Sequence, residues 1–175
     1  KVENSFLGDL YYKIDCGSSG RRLVIPDIHG CSHSFNELLN QINLNKDDNL
    51  FLLGDYINRG KRNKEVIEKI IYLIENDYKI FPLRGNHEQR LLEKHKKNYT
   101  EEELKLPKQF KAKDLLDDNY KIRNQYLGLI SNLPYYYDIG DYFLVHAGLN
   151  FSAENIYEDY HSMIWIKEMK FDKTK

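Results

Sequence analysis

The sequence predicts an α/β fold around a parallel sheet, on two observations. Three short apolar runs (Leu23–Ile25, Leu50–Leu53 and Lys79–Leu83) alternate with two segments of helical period. Right-handed βαβ crossovers turn that order into a parallel sheet. Each run also leads directly into a turn rich in Asp, His, Asn and Gly: Asp27-Ile-His-Gly30, Gly54-Asp-Tyr-Ile-Asn-Arg-Gly60 and Gly85-Asn-His-Glu88. Ligands of parallel sheets gather beyond the carboxyl ends of the strands, where these three turns fall.

The elements follow in order. Residues 1–20, with Tyr11-Tyr-Lys-Ile14 and Cys16-Gly-Ser-Ser-Gly20, read as an irregular lead-in. Pro26 ends the first strand. Ser34-Phe-Asn-Glu37 has the spacing of a capping box, and Phe35, Leu38, Leu39 and Ile42 continue at helical period. The second helix, Glu65 to Glu75, carries Val66, Ile67, Ile70, Ile71, Leu73 and Ile74 around most of its circumference. Pro82 falls near the end of the third strand, where a missing N–H is best tolerated. Residues 93–121, including Lys94-His-Lys-Lys97 and Glu101-Glu-Glu103, read as a solvated polar cap or lid edge. Tyr126, Leu129, Ile130 and Leu133 mark a helix closed by Pro134. Tyr135 to Ile139 and Tyr142 to Val145, joined by Gly140-Asp141, read as a β-hairpin that delivers His146-Ala-Gly148.

At 175 residues the simplest organisation is one domain over 1–175 with the 93–121 insert. The charges balance, 26 basic against 27 acidic, so no global field draws the chain to nucleic acid or to an anionic membrane. Cys16 and Cys31 make no disulfide framework and fit reduced thiols in a cytoplasmic protein. No apolar run reaches the ~20 residues of a membrane span, and no signal peptide is visible.

Asp27 and His29, two residues apart after a strand, can point into one cleft. Asp55 could bridge two cations through its two oxygens. Asn86 offers an amide oxygen and His146 an imidazole nitrogen, a donor mixture that suits Mn, Fe or Zn better than calcium. Arg59 offers a planar fork for phosphate oxygens, and His87, beside a ligand, is placed to protonate a leaving oxygen. Taken singly, each residue has a plainer role: acids that form turns, half-buried histidines, an asparagine capping a helix. Cys31 reads as a small core residue, and His33 and His95 as solvated. The joint order of the motifs at strand ends favours the metal site.

The four segments resemble the signature blocks of the calcineurin-like metallophosphoesterases, and more closely the phosphoprotein (Ser/Thr) phosphatase branch in its short bacterial and phage form. The resemblance runs from about Leu23 to Trp165. It implies a four-layer α/β/β/α sandwich and a pair of divalent metals, with Mn favoured. The first metal would be held by Asp27, His29 and Asp55, the second by Asp55, Asn86 and His146. Arg59 and Asn86 would contact substrate phosphate and His87 would be the acid. The implied activity is hydrolysis of phosphomonoesters, in phosphoproteins or small phosphoesters, by direct attack of metal-bound hydroxide.

Four positions depart from that family's pattern. Asn58 stands where an Asp usually orients the acid histidine, a replacement shared with symmetrical dinucleoside tetraphosphate hydrolases. Pro26 replaces a Gly. Lys167 takes the place of a phosphate-binding Arg two residues beyond Trp165, keeping the charge without the fork. A last metal-binding His, expected from a downstream Gly-His-Thr-like block, is absent up to Lys175. The expectation is a truncated chain missing its C-terminal strands. Two other functions follow from these departures: a dinucleoside polyphosphate hydrolase, and a pseudophosphatase that binds without turnover.

Overall fold

The computed structural model describes residues 10–17, 20–97, 102 and 112–168. Its first strand, β1 (Tyr11–Lys13), lies in the segment expected to be irregular. Next come β2 (Arg22–Ile25), α1 (Ser32–Gln41), β3 (Asn49–Leu52), α2 (Asn63–Glu75), β4 (Lys79–Pro82) and α3 (Asn86–Lys96). A 3-10 turn at Lys113–Leu115 precedes α4 (Asn124–Ser131), β5 (Tyr136–Asp138), β6 (Phe143–Val145) and α5 (Tyr160–Trp165). The expected parallel sheet is β2-β3-β4, with Leu23 opposite Leu50 and Leu50 opposite Ile80. The hairpin β5-β6 forms a second sheet, and β1 joins it parallel to β5, Tyr11 opposite Tyr136. β1 is therefore created by pairing with a distant partner, which local residue types do not announce.

Two clusters show how the sheets stack. Side chains alternate across a strand. Leu50 and Leu52 of β3 pack with Phe35 and Leu39 of α1, Val66, Ile67 and Ile70 of α2, and Tyr126 and Ile130 of α4. Phe51, between them, packs with Leu83, Tyr137 and Ile139 toward the second sheet. The Phe51 ring lies 4.8 Å from Phe81 and 5.8 Å from Tyr137, centroid to centroid. Covered on both faces, all four β3 residues are buried, as a central parallel strand requires. The outer face of the second sheet carries Tyr136 stacked on Tyr11 and packed at a tilt against Phe143. The two packed sheets of the expected sandwich are thus present, with helices against the first.

Four local expectations need correction. α1 starts at Ser32, before the expected capping box, and Cys31 occupies the cap position without a side-chain bond. His29 and Gly30 have positive φ (48° and 63°) and turn the chain sharply enough for helix to begin at once. That position leaves the Cys31 side chain exposed rather than in the core. His95 is not merely solvated, because its Nδ1 accepts from the Ile122 N–H at 3.0 Å. The insert is only partly polar in role: Ala112, Leu115 and Leu116, with Ile122 just beyond it, belong to the main core. Residues 98–101 and 103–111, with two of the three clustered glutamates, lie outside the described residues. No helix among the described residues is long and apolar enough to cross a membrane.

One ion pair clamps the entry to both β2 and β3. Arg21 donates to the buried Asp48 carboxylate through Nε at 2.9 Å and through a terminal nitrogen at 2.6 Å. The Asn45 N–H adds a third donor at 3.0 Å. The guanidinium bonds, with help from the backbone, hold the Asp48 carboxyl well below the usual carboxylate range. A depressed folded pKa contributes stability that is complete above the unfolded value, ~3.9, and is lost as pH falls through the folded one. The urea midpoint of the wild-type protein is therefore expected to fall more steeply below pH 4 than that of Asp48→Asn. Parallel curves for the two proteins would refute the assignment.

Candidate metal centre

Each expected donor comes from a loop at the carboxyl end of a strand, and the loops touch. Asp27 and His29 follow β2, Asp55 follows β3, Asn86 and His87 open α3 after β4, and His146 follows β6. His29, Asp55, Asn58 and Arg59 all have left-handed backbone, with φ of 48°, 53°, 68° and 58°. Such conformations cost ~1–3 kcal/mol each in non-glycine residues and persist where surroundings impose them. Gly85 is required by the close approach: a Cβ there would collide with the Asp55 backbone nitrogen and Oδ1.

The imidazoles are oriented by main-chain carbonyls. His29 Nδ1 lies 2.9 Å from the Ile57 carbonyl and His146 Nδ1 lies 2.8 Å from that of Leu53. Each Nδ1–H donates, so each Nε2 presents a bare lone pair. His29 Nε2 sits 3.4 Å from Asp27 Oδ2 and 3.6 Å from Asp55 Oδ2. His146 Nε2 sits 3.6 Å from Asp55 Oδ1. Both Nε2 atoms thus face carboxylate oxygens across 3.4–3.6 Å. His29 Nε2 and Asn86 Oδ1 are also buried without a hydrogen-bond partner. Divalent cations are the kind of partner these atoms lack, and carbonyl-braced histidines are what metal ligation uses.

Two groups have donor atoms within 4.8 Å of one another: His29, Asp55 and His87, and Asp27, Asp55 and His146. Asp55 belongs to both, as a bridging ligand must. The grouping differs from the expectation in placing His87 beside the first site, its ring 4.9 Å from that of His29. His87 Nδ1 lies 2.7 Å from Asn58 Nδ2. In this orientation the amide donates, so the imidazole proton sits on Nε2, 3.8 Å from Asp55 Oδ2. Burial pushes the His87 pKa down; the Asp55 charge opposes this, while His29, Arg59 and Arg90 reinforce it. Arg59 is exposed at the rim. Lys167 is exposed two residues beyond α5 and makes no hydrogen bond or ion pair among the described residues.

Sequence reasoning missed the group that ties the loops together. Glu88 is completely buried. Its carboxylate accepts the N–H groups of Asp55 at 2.8 Å, Tyr56 at 2.9 Å and Gly85 at 3.1 Å. Asp55 Oδ1 in return accepts the His87 N–H at 3.0 Å. Burial and the Asp55 charge push the Glu88 pKa up to about 7, and the donated N–H groups pull it down. The available signal was an acid three residues after Gly85, the reciprocal half of a capping box. Further out, Asp114 accepts from Asn63 Nδ2 and the Lys64 N–H, both at 2.8 Å. Asn63 Oδ1 in turn accepts the Asn58 N–H at 2.6 Å, so the insert braces the Asn58 turn.

Stacked sheets whose strand-end loops converge on paired Asp, His and Asn donors define a metal-site α/β class. The chain belongs to the calcineurin-like phosphoesterase family, whose model matches residues 20–175. It is 39% identical over 94 residues to the symmetrical bis(5'-nucleosyl)-tetraphosphatase of Wigglesworthia glossinidia brevipalpis, covering 53% of this chain and 34% of that one. It is 34% identical over 79 residues to a PP2A-like serine/threonine-protein phosphatase of Candida albicans, covering 45% and 19%. The crystal structure of a putative diadenosine tetraphosphatase superposes with a TM-score of 0.62 at 22% identity, covering 82% of this chain and 56% of that one. The chain thus spans about a third or less of the length of these curated relatives.

Proposed function

We propose that this chain is the metal-dependent hydrolytic core for a dinucleoside tetraphosphate, cut symmetrically into two nucleoside diphosphates. The observation that carries the choice is the neutral partner of His87. An alkoxide leaving group, near the ~15.7 of water, needs a strong acid beside it. A diphosphate leaving oxygen has a pKa of ~6 and needs little more than a hydrogen bond. A half-buried imidazole whose Nδ1 is backed by the Asn58 amide at 2.7 Å rather than by a carboxylate, with Asp55 only at 3.8 Å from Nε2, suits the second kind of substrate. The similarity to a symmetrical tetraphosphatase supports the same reading.

Asp27, His29, Asp55, Asn86 and His146 would hold two divalent cations in this reading, the oxygen and imidazole donors suiting Mn, Fe or Zn, with Mn the metal the family resemblance favours. When bound, such cations acidify a water and neutralise phosphoryl oxygens. Arg59 grips the non-bridging oxygens of the phosphoryl group under attack. His87 Nε2–H donates to the bridging oxygen. The water oxygen bonds to an inner phosphorus as the central P–O bond breaks, and the electron pair leaves on the departing diphosphate. Asn58 holds the imidazole in the Nε2–H tautomer.

A second reading, phosphomonoester hydrolysis of the Ser/Thr phosphatase kind, is favoured by the Candida albicans relative. Comparing kcat/KM for diadenosine tetraphosphate and for a phosphoserine peptide, with Mn, separates them. The expected preference for the tetraphosphate is at least ~10²-fold, the lower range of a general-acid contribution. A preference for the peptide would establish the second reading. Folded protein with bound Mn and no turnover would indicate a pseudophosphatase.

A further inference from the structure

The arginines of this molecule divide into two kinds. Arg21, Arg84 and Arg123 commit their guanidinium donors to Asp48, to the carbonyls of Leu133 and Ser131, and to the Leu116 carbonyl respectively. Arg90 does not. It is exposed on α3, three residues beyond His87 and four beyond Asn86, hence on the same face one turn along. Its only partner among the described residues is an aromatic ring: the guanidinium carbon lies 4.4 Å from the Trp165 centroid.

Trp165 ends α5, and α5 is tied to the segment that carries His146 through the Ala147 N–H, which donates to the Met163 carbonyl at 2.7 Å. The stack therefore links the helix that presents Asn86 and His87 to the loop that presents His146. Stacking uses the flat face of a guanidinium and leaves the N–H groups around its edge for other acceptors. It also fixes a long side chain, so less freedom is lost when an anion binds.

We propose that Arg90, preorganised on Trp165, binds the outlying phosphates of a polyphosphate chain while Arg59 holds the phosphoryl group being attacked. This deepens the tetraphosphate reading and rests on it. A phosphomonoester has no second phosphate for Arg90 to hold, whereas a polyphosphate carries charge on both sides of the scissile bond.

Trp165 is the only tryptophan, so its fluorescence reports on the stack. The test titrates Mn-loaded protein with inorganic tripolyphosphate and, separately, with orthophosphate. Tripolyphosphate is expected to change Trp165 emission saturably. Arg90→Gln is expected to weaken tripolyphosphate binding at least ~10-fold more than orthophosphate binding, the size of one charge-assisted hydrogen bond. Arg90→Lys, which keeps the charge without the planar fork, is expected to fall between. In turnover, the KM for diadenosine tetraphosphate should rise in Arg90→Gln by that factor more than the KM for para-nitrophenyl phosphate. Equal losses for the two anions, or none, would overturn the proposal. If the wild type binds tripolyphosphate through Arg90 yet does not hydrolyse diadenosine tetraphosphate, the substrate reading fails and the phosphate-chain site stands.

Discussion

Asp55→Ala is expected to bind neither metal and to lose turnover. The side chain is 3% exposed, its oxygens lie 3.6 Å from both His29 Nε2 and His146 Nε2, and Oδ1 also accepts the His87 N–H. Partners that only support a ligand already cost ~10–100-fold in affinity when removed. A residue shared by both candidate sites should cost more at each. Because Asp55 has φ of 53°, alanine adds backbone strain to the lost charge. Asp55→Asn separates these effects, since asparagine tolerates the left-handed region and keeps one oxygen. It should fold as the wild type does, with a matching urea midpoint, and still fail to retain the second equivalent of Mn by elemental analysis. Two retained equivalents would sink the bridging role.

The second large effect depends on the leaving group. His87→Ala should reduce kcat for a phosphoserine peptide by ~10²–10⁴-fold, the general-acid range. On diadenosine tetraphosphate the loss should be smaller by at least an order of magnitude. The complementary change is Asn58→Asp. A carboxylate 2.7 Å from Nδ1 favours the imidazolium and raises the His87 pKa. The acid form then persists to higher pH, so the descending limb of the pH–rate profile should move upward. The peptide-to-tetraphosphate rate ratio should rise with it. An unchanged ratio would mean that His87 does not protonate the leaving oxygen.

What the sequence made legible was local. The apolar runs of β2, β3 and β4 declared themselves, and so did the turns after them, because a strand buried on both faces reads as an unbroken hydrophobic run. The candidate donors Asp27, His29, Asp55 and Asn86 were legible because they fall immediately after those runs, and His146 because it ends the hairpin. β1 was not, because Tyr11-Tyr-Lys13 becomes a strand only through β5. The core role of Leu115, Leu116 and Ile122 was hidden among charged neighbours in a segment with no regular period. Glu88 was visible as a residue but not as a brace, since its donors come from the loop after β3 as well as its own helix start. Asp114 and Asn63 are similarly joined across a long separation.

On our proposal the strand-end loops of this chain assemble one two-metal site bridged by Asp55. Electron paramagnetic resonance of metal-stripped protein titrated with Mn tests it most directly. The second equivalent is expected to replace the six-line signal of isolated Mn with the spectrum of a spin-coupled pair, and Asp55→Asn to abolish the coupling. An isolated six-line signal that simply grows with added Mn, in folded wild-type protein, would contradict it.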